Sequence, residues 1–357
     1  MIQAVYAFQI EGNPIEANVF GHGHINYTIK VKTDAGKDYV LQRINTYVFK
    51  DPIHLMENAG AVTRFLSERV DDSRAALHFI PAKDGKYYHV DSEGSFWRMY
   101  DFVGGFCLDA AESEEDFYQS AIAFGRFQNL LSDFPAETLY ETIPEFHNTI
   151  DRYRLFHASV DADVMGRAAD VQPEIDFLLE REEEMGQLQR MREAGEIPLR
   201  VTHNDTKLNN VLLDKNTRKC LCVLDLDTVM PGLSVYDFGD SIRFGAATAA
   251  EDEFDLSKMS LDLRLFEVYT MGFLEACPSL TETEVKMLAM GAKTMTLECA
   301  MRFLTDYLDG DKYFGVQYPQ HNLVRARSQL KLVKDMEKKW DKMNEIVAQV
   351  AEQTRRA

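Results

Sequence analysis

One stretch narrows the possible folds more than any other: VTHNDTKLNNVLLD, residues 201–214. Within it His203, Asn204, Asp205, Asn209 and Asn210 stand between an apolar approach (Ile197, Leu199, Val201) and an apolar strand. Polar side chains wedged between core-forming strands are either hydrogen-bonded or functional, because an unpaired polar group in a dry interior is costly. The strand NVLLD is followed by KNTRK and then by CLCVLDLD, which reads as a short β-hairpin. A fold for this chain has to hold a polar loop beside that hairpin.

The rest of the chain divides around it. Residues 20–103 read as strands with one helix between them. FGHGHINYTIKVKT alternates across a glycine-containing turn, and DYVLQRIN supplies a second strand. Leu55, Met56, Ala59, Val62 and Leu66 have helical spacing, and KYYHVD and SFWRMYDFV return to strand character. Beyond residue 112, DFYQSAIAFGRFQNLLSDF and QPEIDFLLEREEEMGQLQRMREAG each read as one helix, and helical spacing resumes from Leu261 to the end. Gly104 and Gly105 mark the expected linker, giving domains 1–103 and 104–357. That is an α+β plan, with a small antiparallel sheet first and a larger helical part after it.

Length and charge limit the function classes. The 357 residues suit about two domains. Against 39 Lys and Arg stand 58 Asp and Glu, a net charge of −19, which argues against a nucleic-acid partner. Five cysteines in no disulfide or zinc spacing suggest a reducing compartment and no thiol catalysis. The first residues lack the basic start and apolar run of a signal peptide, and no membrane span is evident, so a soluble cytoplasmic protein is expected.

The polar loop carries a chemical pattern. Asp205 is followed five residues later by Asn210 and twenty residues later by Asp225, after the hairpin. A loop carboxylate that accepts a hydroxyl proton, with an amide and a second carboxylate holding magnesium, is the arrangement of kinases. The plainer reading is an Asn- and Asp-rich turn capping its own backbone. Asp237-Phe238-Gly239 spells a metal-binding tripeptide of protein kinases but falls too far beyond the hairpin, so Asp237 and Asp240 are expected to hold the loop after it. Asp227, read as sharing a strand face with Asp225, is a possible second ligand. Phe124, Phe127, Phe134 and Tyr118 read as a core stripe, and His321, Arg325 and Arg327 as partners of acidic groups.

These residues, His203-Asn204-Asp205 with Asn210, Leu224-Asp225 and Asp237, resemble the aminoglycoside phosphotransferase and choline kinase superfamily, whose two-lobed fold is protein-kinase-like. The longer strings LDLDTVMPG, YDFGDSIRFGA, ECAMRFLTDYLDGDKYF and YPQHNLVRARSQLKLV are similar to its N-acetylhexosamine 1-kinase group. The resemblance implies ATP as phosphoryl donor with Mg2+, and transfer to the anomeric hydroxyl of an N-acetylated amino sugar. It implies Asp205 as base and Asn210 with Asp225 as metal ligands. Gly21, Gly23, Asn26 and Arg43 would lie at the phosphates and Tyr100 and Phe102 at the adenine. His24, Phe244, Arg302 and Tyr313 would contact the sugar. The partners implied are small molecules, with no nucleic acid or membrane. One departure stands out: the superfamily usually places Lys or Arg on the strand after the glycine loop, and VLQRIN offers Gln42 and Arg43 on opposite faces. Two other readings stay open, a same-fold kinase with another small acceptor and a nucleotide-binding regulator without turnover.

Overall fold

The computed structural model describes residues 3–21 and 25–356. Gly23 and His24, with His22 before them, lie outside the described residues. Contacts divide the chain into two units that do not follow chain order. One comprises Met1–Cys107, Leu130–Pro144 and Asn210–Pro231, the other Leu108–Asn129, Glu145–Asn209 and Gly232–Ala357. The expected boundary at Gly104 and Gly105 falls near the end of the first stretch, but two later segments also belong to the first unit.

In the first unit, strands β1 (Pro14–Val19), β2 (Tyr27–Thr33) and β3 (Asp38–Arg43) precede helix α1 (Pro52–Ser67). Strands β4 (His89–Val90) and β5 (Phe96–Asp101) follow it. They form one antiparallel sheet in the order β1-β2-β3-β5-β4. Alternation along the strands sends Ile29, Val31, Tyr39, Leu41, Trp97 and Met99 into one core with Val5, Phe8 and Ile80. Gln42 points to the other face, paired in register with Thr28 on β2 and Arg98 on β5. Strand β1, a mostly exposed edge strand, was not expected from the sequence, although Ile15, Ala17 and Val19 alternate with Glu16 and Asn18 along it.

Helix α1 begins where Asp51 accepts a hydrogen bond from the His54 amide and Pro52 opens the first turn. Its inner face buries Leu55, Met56, Ala59, Val62 and Leu66, as the spacing predicts. Asn58 on the same face explains why later segments join this unit. Its side-chain amide donates to the carbonyls of Tyr140 (2.8 Å) and Val229 (3.1 Å), and its oxygen accepts from the Tyr140 amide (2.9 Å).

The second unit begins with helices α2 (Glu114–Leu130), α3 (Thr149–Ala162), α4 (Gln172–Leu179), α5 (Glu182–Met185) and α6 (Gln187–Glu193). The run 172–195, expected as one helix, is therefore three. At the two breaks Arg181 Nη1 donates to the Phe177 carbonyl (2.8 Å) and Arg190 Nη2 to the Glu183 carbonyl (2.6 Å), which satisfies backbone groups that a continuous helix would have used.

Strand β6 (Arg200–Thr202) then leads to the polar loop. Strands β7 (Val211–Leu213) and β8 (Cys220–Val223) form the hairpin, in the first unit, with Val211 opposite Val223. Gly105 lets Phe106 pair with Leu213: a Cβ there would come 2.7 Å from both Leu212 Cγ and the Leu213 carbonyl. After β9 (Met230–Gly232) the second unit resumes with α7 (Ser234–Gly245), α8 (Leu263–Ala276), α9 (Glu282–Lys286), α10 (Leu288–Asp309), α11 (His321–Lys338) and α12 (Trp340–Arg356). Helix α7, not expected from the sequence, is buried from Ser234 to Arg243, its polar side chains included; Val235, Phe238 and Ile242 at helical spacing were the available signal. Among the described residues no helix is long and apolar enough to cross a membrane.

Helices α7 and α10 meet backbone to backbone at Gly239 and Gly291. A Cβ on Gly239 would strike the Gly291 carbonyl, and one on Gly291 would strike the Val235 carbonyl. Gly291→Ala is therefore expected to lower the unfolding free energy by about 1–3 kcal/mol. Urea unfolding checks this, and an unchanged midpoint would refute so tight a crossing.

Candidate active site

The chain passes from the second unit to the first between Asn209 and Asn210, so the candidate base and the candidate metal ligands lie in different units.

In the second unit β6 delivers His203 into full burial, with the rings of Phe124 and Phe127 edge-on at 5.4 and 5.9 Å. Both phenylalanines are core residues, as expected. Asn204 turns the chain with φ of 64°. The buried Asp237 carboxylate accepts from the amides of His203 (2.9 Å) and Asn204 (2.8 Å) and from Gln128 Nε2 (2.7 Å). Burial pushes this carboxyl up, and His203 and the donated hydrogen bonds oppose it. Asp240 accepts from the Thr206 amide (3.1 Å) and from Arg243 Nε (3.0 Å). Asp237 and Asp240 thus anchor the loop at 203–206, before the hairpin, which corrects the expectation that they hold the loop after it. The reason lies in α7, whose first turns carry both carboxylates against β6 and the polar loop.

Asp205 rides on this anchored loop with 31% of its side chain exposed, and Lys207 Nζ stands 2.9 Å from its Oδ1. Burial would lower the Lys207 pKa, but Asp205 and Asp240 raise it, which keeps the ammonium charged. Sequence reasoning missed Lys207; its place two residues after the candidate base was the available signal.

Of the sugar-contact candidates, Arg302 and Tyr313 come together. The Arg302 guanidinium lies 5.0 Å from the Phe146 ring, 5.5 Å from Phe314 and 5.9 Å from Tyr313. Behind it is the buried Glu298, which accepts from His147 Nδ1 at 2.8 Å. Burial would raise the Glu298 carboxyl, but His147, Arg152 and Arg302 hold it below its ordinary value. Phe244 lies elsewhere, in a cavity of about 650 Å³ lined also by Thr206, Leu208, Arg243, Glu251 and Arg325. Among the described residues lining that cavity, Arg302 and Tyr313 do not figure.

In the first unit the hairpin brings Asn210 and Asp225 to one end, since the Asn210 carbonyl accepts from the Leu224 amide at 2.8 Å. Asp225 is in the left-handed region (φ 54°, ψ 68°) and a 3₁₀ turn, Leu226–Thr228, follows it. Asp227 is therefore not on a strand face with Asp225, which corrects that expectation. Its two oxygens go to the Arg98 guanidinium and, at 2.6 Å, to Asn26 Nδ2. Asn26 in turn accepts from the Asn45 amide (2.9 Å), so both ends of its carboxamide are used within the protein.

The pleat decides between Gln42 and Arg43. Gln42 shares a face with Arg98, whose Nε donates to Gln42 Oε1 at 2.9 Å. Arg43 is exposed on the opposite face, 5.6 Å from the Tyr27 ring, so the cation beside the turn after β8 is Arg98 rather than Arg43. Sequence reasoning missed Arg98 although SFWRMYDFV was read as a strand, because only the pairing of β5 with β3 sets Arg98 opposite Gln42. Tyr100 follows Arg98 on the same face, and burial raises its hydroxyl pKa. The Phe102 ring lies under Lys30 Nζ at 3.5 Å, and Gly21 is exposed with φ of 80°.

Asn210 and Asp225 are hard oxygen donors of the kind magnesium takes together with phosphate oxygens and water, so the residues fit that ion. Among the described residues no group of three His, Cys, Asp or Glu is arranged to hold a metal.

A model of the phosphotransferase enzyme family, APH, matches residues 16–268. The chain belongs to this family. Solved structures share the fold at low identity. An aminoglycoside phosphotransferase from Alicyclobacillus acidocaldarius aligns with a TM-score of 0.59 at 13% identity, over 99% of this chain and 96% of its own. An amicoumacin kinase in complex with AMP-PNP and Ca2+ aligns at 0.61 with 12% identity, over 94% and 91%. A Plasmodium vivax ethanolamine kinase aligns at 0.55 with 15% identity, over 88% and 82%. The α+β, kinase-like fold expected from the resemblance is the fold found, in a member of the phosphotransferase enzyme family.

The Asp240–Arg243 pair gives a pH test. Burial would raise the Asp240 carboxyl, but Arg243 and Lys207 hold it below the 3.8 of a free aspartate side chain. Its contribution is therefore present above pH 3.8 and is lost as pH falls through the lower folded value. Asp240→Asn should cost about 3 kcal/mol at pH 7, and the gap to wild type should close below that range. Urea titrations at several pH values measure this; a gap that persists in acid would refute the assignment.

Proposed function

We propose that this phosphotransferase uses Mg-ATP to phosphorylate the anomeric hydroxyl of an N-acetylhexosamine, N-acetylglucosamine or N-acetylgalactosamine. The observation that carries the acceptor class is the Arg302 guanidinium framed by Phe146, Tyr313 and Phe314. Donors beside aromatic faces suit an acyl or hydroxyl oxygen on a sugar ring, and a cation there repels a cationic acceptor.

A second reading has a specific motive, since aminopropanol and ethanolamine kinases share the fold and act on amino alcohols by their names. The cavity beside Phe244 carries Glu251 and Asp252, which would suit an ammonium group. Both are already paired, Glu251 with Arg243 at 2.5 Å and Asp252 with His321 at 3.1 Å. That pairing favours the neutral acceptor.

In the proposed reaction Asp205 orients the C1 hydroxyl and takes its proton as the oxygen bonds to the γ-phosphorus. The bond to the β,γ-bridging oxygen breaks, and ADP leaves. Lys207, beside Asp205, would offset charge on the transferring group. Asn210 and Asp225 would hold the magnesium, which when bound neutralises the β- and γ-oxygens.

Phosphorus NMR of the protein with Mg-ATP and a panel of both N-acetylhexosamines, galactose, glucosamine and choline tests the acceptor. A monoester signal coupled to an anomeric proton is expected only with the N-acetylated sugars, and product from choline instead would establish the second reading. Asp205→Asn should lower turnover about 10²- to 10⁴-fold. Wild-type turnover in that variant would remove Asp205 as base.

A further inference from the structure

We propose that Arg98 is the phosphate-holding cation of this protein, taking over on β5 the task that relatives give to a basic residue on β3. The inference rests on the nucleotide site of the proposed function and concerns residues of the first unit only.

Where the resemblance calls for a cation, β3 has Gln42. The sheet register sets Arg98 directly opposite, on the same face, and its Nε donates to Gln42 Oε1 at 2.9 Å. Gln42 Nε2 is tied to Thr28 Oγ1 at 3.0 Å, on the strand that leaves the glycine loop. A guanidinium reaching across from β5 thus occupies the surroundings that a long side chain on β3 would have entered.

The counter-ion points the same way. Arg98 and Asp227 are 2% and 3% exposed, and Asp227 is two residues beyond Asp225, the candidate metal ligand. A buried ion pair adds little net stability over apolar residues of the same volume, since desolvation offsets the attraction. This pair instead fixes the direction of a planar fork of donors. Nη1 holds Asp227, Nε holds Gln42, and Nη2 makes no hydrogen bond among the described residues. Phosphate oxygens are the acceptors that such a fork matches. Asp227 is then a positioning residue that aims Arg98 and does not itself bind metal.

The test is nucleotide binding, read by displacement of a fluorescent ADP analogue from the full chain with ADP and with adenosine, in magnesium and in EDTA. Arg98→Met should weaken ADP about 10- to 100-fold and leave adenosine unchanged, in both media. Arg98→Lys should recover part of the loss. If the single variant does not fold, Arg98→Met with Asp227→Asn removes both buried charges and the same readings apply. Unchanged ADP affinity in a folded variant would overturn the proposal. So would a loss confined to magnesium, because that marks a residue that only shapes the metal turn. A wild type that binds ADP and adenosine equally would overturn it as well. Tight ADP binding without phosphorylation of any sugar would defeat the acceptor assignment and leave Arg98 standing.

Discussion

The Asp237 carboxyl group is fully buried, and its oxygens have to meet hydrogen-bond donors there, because an unpaired polar group in the interior is costly. Here the donors are the backbone amides of His203 and Asn204 and the side chain of Gln128. Satisfying these oxygens therefore fixes the path of the polar loop, and Asn204 takes up a left-handed conformation to follow it. The placing of Asp205 and Lys207, and with it the chemistry proposed for them, depends on that path. A second buried carboxylate, Asp227, does comparable work in the other unit, joining Asn26, Arg98 and the turn after β8.

This division of labour among the aspartates was only partly legible in the sequence. The spacing of Asp205, Asn210 and Asp225 singled out the loop and the hairpin. The rejection of Asp237 as a metal ligand came from its distance along the chain, and the structure gives it an anchoring function. Which loop it anchors was not legible, because that depends on where α7 packs, and its polar side chains are buried along with its apolar ones. The edge strand β1 was legible and was passed over, since Ile15, Ala17 and Val19 alternate with Glu16 and Asn18. The breaks in 172–195 come from arginines that hydrogen-bond carbonyls, a contact that a hydrophobic pattern does not record. Register settled the choice at Gln42 and Arg43, and it needs the neighbouring strand to be known.

The acidic excess of the chain contrasts with the cations gathered inside it. Arg98 and Arg243 are buried, Lys207 and Arg302 are half-buried, and each but Arg302 has a carboxylate in contact. The net charge of −19 thus describes the surface more than the sites. Donors that could meet phosphate or a sugar are held in fixed directions by acidic neighbours, which is where the electrostatics of an anionic substrate would be decided.

Helix α7 carries two kinds of residue at its two ends. Asp237 and Asp240 pin the polar loop, and one turn later Arg243 and Phe244 line a cavity. Because the helix is locked to α10 through glycine backbones, it has no slack to absorb a change at either end. A substitution at Phe244 would therefore be felt at the polar loop, whereas the exposed Tyr313 lies outside this helix. If the proposed acceptor site is right, the scaffold separates a position where the acceptor range could drift from one where it could not.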